Sequence, residues 1–210
     1  MSLADRIRLL SLVRDNAVLG EWVDQLVAVT TEQGFPYFGA QGTINRGWAK
    51  VKNGDVMEGM SLLRSGSTAY RAIGAEFWVP YHTALLAAAC EIAGQVEEGL
   101  TLLDDALLIV ERTGERWFAA ELNRHKGQLL LRHGYSAATE DLYRKALSIA
   151  EEQGAKLWEL RAAVSLARLR RDQDRHTEAR DLLAPVYGWF TEGFDTGDLK
   201  EAKALLDELA

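Results

Sequence analysis

Residues 74–114, GAEFWVPYHTALLAAACEIAGQVEEGLTLLDDALLIVERTG, hold two helix-length blocks between three glycines set twenty residues apart, Gly74, Gly94 and Gly114. The series runs on in both directions through Gly34, Gly54, Gly134 and Gly154, and Asp174 and Gly193 continue it to within one residue. Glycine ends helices because it enters the left-handed conformation without a Cβ clash, so each step reads as one helix and its stop. Two steps make a forty-residue helix pair. Stacked pairs form an α-solenoid in which each repeat packs only on its neighbours, an architecture that favours recognition or scaffolding over catalysis.

Superposing the forty-residue copies separates a repeat from a mere rhythm of glycines. Four residues after the ladder glycine stand Phe38, Trp78, Phe118 and Trp158, a large aromatic in every copy. Thirteen residues after it stand Gly47, Ala87, Gly127 and Ala167, where only a small side chain lets two helices approach closely. Gly59, Gly99 and Ala179 share a further small column, broken by Thr139, and Gly66, Ala106 and Ala146 share another. Leucine pairs at 62–63, 102–103 and 182–183, matched by Leu142 and Tyr143, give each second helix a buried stripe.

The small columns are twelve and then seven residues apart, and in this the chain resembles the tetratricopeptide repeat (TPR) family, in an extended version of its thirty-four-residue repeat. The family's early tryptophan position holds Thr43, Thr83, Asn123 and Ala163, the aromatic having moved a turn toward the helix start. The resemblance implies an all-α, right-handed superhelical solenoid of antiparallel helix pairs, TPR-like, with about forty residues per repeat. One domain is expected over 1–210: a partial pair at 1–33, repeats at 34–73, 74–113, 114–153 and 154–193, and a capping helix at 198–210. First helices are predicted at 36–53, 76–93, 115–133 and 155–173, and second helices at 56–73, 96–113, 137–153 and 176–191. The opening pair is predicted near 3–13 and 18–32. Asp55 with Glu58, Ser136, and Asp198 with Glu201 are expected N-caps. Trp189, Phe190 and Phe194 are expected to seal the last apolar layer. The short opening helix suggests a chain excised from a longer protein, with foreign residues at its start.

Composition narrows the function. A net charge of -7 lacks the basic footprint that general nucleic-acid affinity needs. No apolar run approaches a membrane span and no signal peptide opens the chain, so the cytoplasm is expected. The single cysteine, Cys90, has no partner for an internal disulfide and occupies an interior slot. There is no phosphate-cradling glycine-rich loop, and His82, His125, His133 and His176 lack metal-ligand spacing, so no catalytic residue, cofactor or metal is expected.

Stretches 46–64 (RGWAKVKNGDVMEGMSLLR), 113–132 (TGERWFAAELNRHKGQLLLR), 154–169 (GAKLWELRAAVSLARL) and 182–210 (LLAPVYGWFTEGFDTGDLKEAKALLDELA) resemble a narrower group. They are similar to the C-terminal repeat region of large bacterial class III adenylate or guanylate cyclase proteins, where a cyclase domain and an ATPase-like module come first. The resemblance implies a regulatory role, with the upstream domains of the parent as partners. It transfers no catalytic residue.

In TPR arrays the first helices line a groove. Here the early groove slots include Gln41, Ile44, Trp48, Tyr81 and Ala84, and the later ones Glu121, Arg124, Gln128, Arg132, Arg161, Arg168 and Arg171. Trp48 and Tyr81 would supply apolar contact. Arginine forks bind carboxylates in pairs, so an acidic protein segment or peptide is the matching ligand. The competing reading pairs Arg161, Arg168 and Arg171 internally with Glu159, Asp172 or Asp174. A second function class is a structural or self-associating segment, joined to its parent or to another copy near Leu9, Leu10 and Val13, with no groove ligand.

Overall fold

The computed structural model describes residues 3–12, 19–134 and 136–210, with the side chains of Ala4, Thr31, Gln33 and Ser136 outside that description. Among the described residues it is all-α, eleven helices and no strand. These are α1 (Leu3–Leu12), α2 (Leu19–Gln33), α3 (Pro36–Lys52), α4 (Val56–Ala72), α5 (Val79–Ile92), α6 (Val96–Thr113), α7 (Ala119–Arg132), α8 (Ser136–Gln153), α9 (Lys156–Arg171), α10 (His176–Gly188) and α11 (Gly197–Glu208). The chain divides into two compact units, Met1–Glu115 and Arg116–Ala210.

Within each unit the order follows the ladder. Every ladder glycine has positive φ, from +62° at Gly154 to +97° at Gly54, and Asp174 takes the same left-handed turn at +60° without glycine's freedom. The pairs α3–α4, α5–α6, α7–α8 and α9–α10 pack on one another, and the first helices also meet along α1–α3–α5 in one unit and α7–α9–α11 in the other. Second helices bury one stripe: α6 encloses Gly99, Leu103, Ala106 and Val110, spaced four, three and four. First helices lie between layers and bury far more, twelve of fourteen residues in α5. The crossing of α3 and α4 is tight at Gly47, where an added Cβ would stand 2.7 Å from the Gly59 carbonyl oxygen and from the Leu63 amide nitrogen.

Several expectations need correction. α5 and α7 begin three and four residues later than predicted, because an aromatic pair occupies a tight turn before each. There Val79 N–H donates to the Glu76 carbonyl and Ala119 N–H to that of Arg116. Carbonyls of these turns also accept from second-helix side chains: Tyr70 donates to that of Phe77 (2.7 Å) and Gln153 to that of Arg116 (2.8 Å). α10 stops at Gly188, since Pro185 removes a helical donor near its end. Asp55 is the N-cap residue of α4 as expected but makes no side-chain cap bond; its carboxylate and that of Glu58 both turn to Lys50, at 3.2 and 3.0 Å. α11 is preceded by Thr196, not capped by Asp198 and Glu201, whose carboxylates are engaged elsewhere. Of the aromatic turn only Phe190 packs on the last core, while Trp189 is 58% and Phe194 46% exposed. α8 begins at Ser136, whose capping side chain lies outside the description, as does the end-layer residue Val13.

Overpacking at the helix crossing sets the first expectation. Gly47→Ala should destabilise the protein by about 2–4 kcal/mol, because the new methyl meets backbone that cannot rotate away. Asp174→Gly should stabilise it by about 1 kcal/mol through relief of the left-handed turn. Urea unfolding measures both, and a neutral Gly47→Ala contradicts the packing.

Candidate partner-binding faces

Position seven after the ladder glycine holds Gln41, Tyr81, Glu121 and Arg161, and all four are buried, at 2%, 2%, 2% and 7% exposure. Ile44 and Ala84, assigned to the groove from sequence, are buried too. In unit 2 this column faces the neighbouring first helix, as its ion pairs there show.

In unit 2, Arg124 donates from Nε and Nη2 to the Glu121 carboxylate at 2.6 and 3.1 Å, and from Nη1 to Gln128 at 3.1 Å. Arg161 grips both oxygens of Asp198 at 2.8 and 2.7 Å and reaches Glu121 at 3.4 Å. Two cations and two anions thus make a buried set, with His125 beside it at 3.6 Å from Glu121. Burial alone would raise the Glu121 carboxyl, but Arg124, His125 and Arg161 hold it well below the usual carboxylate range. Nearer the surface Arg168 pairs with Glu201, and Arg171 with Asp172 and Glu208. The contacts Arg161–Asp198, Arg168–Glu201 and Arg171–Glu208 advance in the same direction along α9 and α11. The two helices therefore run parallel, and α11 stands where the first helix of a further pair would stand. Its Leu199, Ala202, Leu205 and Leu209 complete the core over α9 and α10.

Arg124 and Arg161 are therefore corrected from ligand-binding to structural residues: the carboxylates they match are in the chain itself. The internal pairing weighed from sequence holds for Arg171 with Asp172, whereas Glu159 pairs with Lys156. Arg168 has a side chain 45% exposed, and Arg132 is exposed in the last turn of α7. Gln128 is half-buried beside Arg124. Sequence reading missed α11 as the arginines' partner because Asp198 and Glu201 also fit a capping box. The available signal was the match between the 161, 168, 171 cations and the 198, 201, 208 anions.

In unit 1, Tyr81 is corrected likewise, for it lies beneath α1 and donates to the Ser11 hydroxyl at 3.0 Å. Trp48 is half-buried against the cluster of Ile7, Leu19, Val23, Leu26 and Ala49. α1 is held by Ile7, fully buried, and by arginines on either side of it. Arg6 lies 4.2 Å over the Trp22 ring and Arg8 3.7 Å over Trp78. Such contacts contribute about 0.5–2 kcal/mol each. Trp78 has φ +70°, a strained value for a bulky residue, and its N–H donates to Glu115 at 2.9 Å. Beside it His82 is buried with Nδ1 unpartnered, and burial together with the Arg8 charge pushes its pKa down to about 3. Burial, then Glu98, pushes the Cys90 thiol up to about 11, so it is not a thiolate nucleophile.

Among the described residues no group of three His, Cys, Asp or Glu side chains is placed to hold a metal, and no helix is long and apolar enough to cross a membrane.

No protein-family model matches the chain. An uncharacterized protein of Rhizobium meliloti (strain 1021) is 30% identical over 131 residues, 61% of this chain, and the chain covers 13% of that relative's length. Solved structures share the fold at low identity. PlcR of Bacillus thuringiensis, in complex with the peptide PapR7 and DNA, matches with TM-score 0.76 and 14% identity over 99% of this chain and 72% of its own. BtubC from P. vanneervenii matches at 0.70 and 15%, over 94% and 89%. The TPR-like repeats of a Podosopora anserina kinesin light chain match at 0.62 and 18%, over 89% and 92%. The chain has a TPR-like helical-repeat fold.

Two stability expectations follow from the buried charges. Asp198→Ala should cost about 3–5 kcal/mol by stranding Arg161 in the interior, while Arg168→Ala should cost under about 1 kcal/mol. Equal effects in thermal unfolding contradict the burial. Second, an unfolded histidine titrates near 6.5 whereas folded His82 refuses its proton until about 3. The unfolded state therefore binds more protons below pH 6.5, and stability falls as pH drops from there toward 3, by about 1.4 kcal/mol per pH unit. His82→Gln should remove that slope in urea titrations between pH 6.5 and 4.5; an unchanged slope contradicts it.

Proposed function

We infer that this chain is a cytoplasmic, non-catalytic module that binds a protein or peptide segment on its first-helix faces and passes the bound state to the rest of a larger signalling protein. One observation carries the reading. In unit 1 the face bearing Trp48, Trp78 and Tyr81 already holds a helix, α1, whose side chains reach past the adjacent α3 to α5. Contact with two successive first helices is what a segment laid across that face would also make. The fold is one on which PlcR is seen with a peptide. For unit 2, the outer arginines Arg132, Arg168 and Arg171 supply charge recognition of an acidic segment. The resemblance of the repeats supports a parent of bacterial adenylate or guanylate cyclase type, and the small share of the Rhizobium meliloti relative that the chain covers fits one region of a larger protein.

A second reading, a self-associating scaffold, is favoured by the exposed Trp189 and Phe194 in unit 2 and by Leu9 on α1. Affinity capture from source-cell lysate distinguishes the two, using the wild type and a Trp48→Ala, Arg168→Glu variant shown to be folded by circular dichroism. Arg161→Glu is unsuitable, since it would crowd Glu121 and Asp198 with a third buried carboxylate. A partner recovered by the wild type and lost from the variant is the expected result. Equal recovery, together with a dimer in sedimentation that Trp189→Ser dissolves, favours the scaffold.

A further inference from the structure

The acidic-segment expectation does not suit unit 1, whose face is aromatic. Three tryptophans, Trp22, Trp48 and Trp78, each lie beneath a cation: Arg6 at 4.2 Å, Lys52 at 5.1 Å and Arg8 at 3.7 Å. The π-face of tryptophan attracts cations and repels anions, so this surface discriminates by sign. Between the two arginines of α1, Ile7 enters the apolar pocket of Leu19, Val23 and Leu26, with Leu3 and Leu10 against its rim. Residues 3, 7 and 10 share one helical face, and Arg6 and Arg8 flank it.

We propose that this face is a docking site for a cationic amphipathic helix, an aliphatic anchor flanked by arginines, and that α1 occupies it as an internal competitor. The proposal rests on the binding-module reading and adds the partner's chemistry. Two features set α1 apart from a packed repeat helix. Beyond Ile7, its anchors on Tyr81 of α5 and on Trp78 just before it are a hydroxyl contact from Ser11 and a cation–π contact from Arg8, which exchange more readily than interlocked core. Its Arg8 also sits over Trp78, a non-glycine residue held at positive φ, and strained backbone concentrates at ligand clamps. A segment offering the same anchor and cations makes the same contacts, and α1 lowers its apparent affinity by the fraction of time it covers the face.

The test uses the full chain and a fluorescent, end-blocked decapeptide LADRIRLLSL, the sequence of α1. In an Arg8→Glu, Ser11→Ala variant, hydrogen exchange over residues 3–12 should accelerate while that of α3–α6 is unchanged, which reports release of α1 from a folded unit. That variant should bind the peptide at least about tenfold more tightly than the wild type does. A peptide carrying glutamate at both arginine positions should lose binding, as should the released variant when Trp78→Ala is added. The proposal is overturned if α1 is released and no peptide binds, if the acidic peptide GDLKEAKALLDE from α11 binds as well, or if loss of Trp78 changes nothing. A cellular partner captured by the wild type but not displaced by the decapeptide overturns the proposed chemistry and leaves the binding-module reading standing.

Discussion

Close approach of paired helices is the constraint from which the rest follows. At Gly47 the backbone of α3 lies so near that of α4 that a single methyl would meet a carbonyl oxygen and an amide nitrogen at 2.7 Å. A Cβ at Gly59 would stand 2.5 Å from Val51 and one at Gly66 2.8 Å from Ile44. With helices this near, second helices need only a narrow apolar stripe, while first helices are enclosed on several sides. Enclosure is why the charged first-helix residues Glu121, Arg124 and Arg161 pair within the chain: a buried charge without a partner costs several kcal/mol.

Unit 2 shows the consequence. Glu121, Arg124, Arg161 and Asp198 come from three first helices, α7, α9 and α11, and neutralise one another out of water. A basic patch in the sequence is an electroneutral seam in the fold. The same column in unit 1 holds Gln41 and Tyr81, uncharged, and there α1 meets Tyr81 through the Ser11 hydroxyl, with Arg8 over the nearby Trp78. The units thus use one repeat position for different chemistry, which a helical repeat permits because each copy answers only to its neighbours.

Most of the fold was legible in the chain. Left-handed stops at fixed intervals, small residues at crossings and leucine stripes are local requirements, and α4, α6, α8 and α9 fall within about two residues of their predicted ends. The misses share a cause. α5 and α7 start late, after aromatic turns whose carbonyls bond second-helix side chains, Tyr70 seven residues away and Gln153 thirty-seven. Asp55 and Asp198 suit a cap by local rule but have a stronger cation within reach, Lys50 and Arg161.

What the sequence by itself determined is the all-α repeat, its register and the identity of its small crossing positions, since backbone sterics and apolar periodicity act over a few residues. Only the tertiary structure decided which groove residues face solvent. Whether Arg161 is a ligand-binding fork or half of a buried ion pair depends on a carboxylate thirty-seven residues away. Whether Tyr81 and Trp78 are free or covered depends on where α1 lies. Charge pairing and cation–π contact act through space between elements, and no periodicity along the chain encodes the distance between two helices that are not neighbours in sequence.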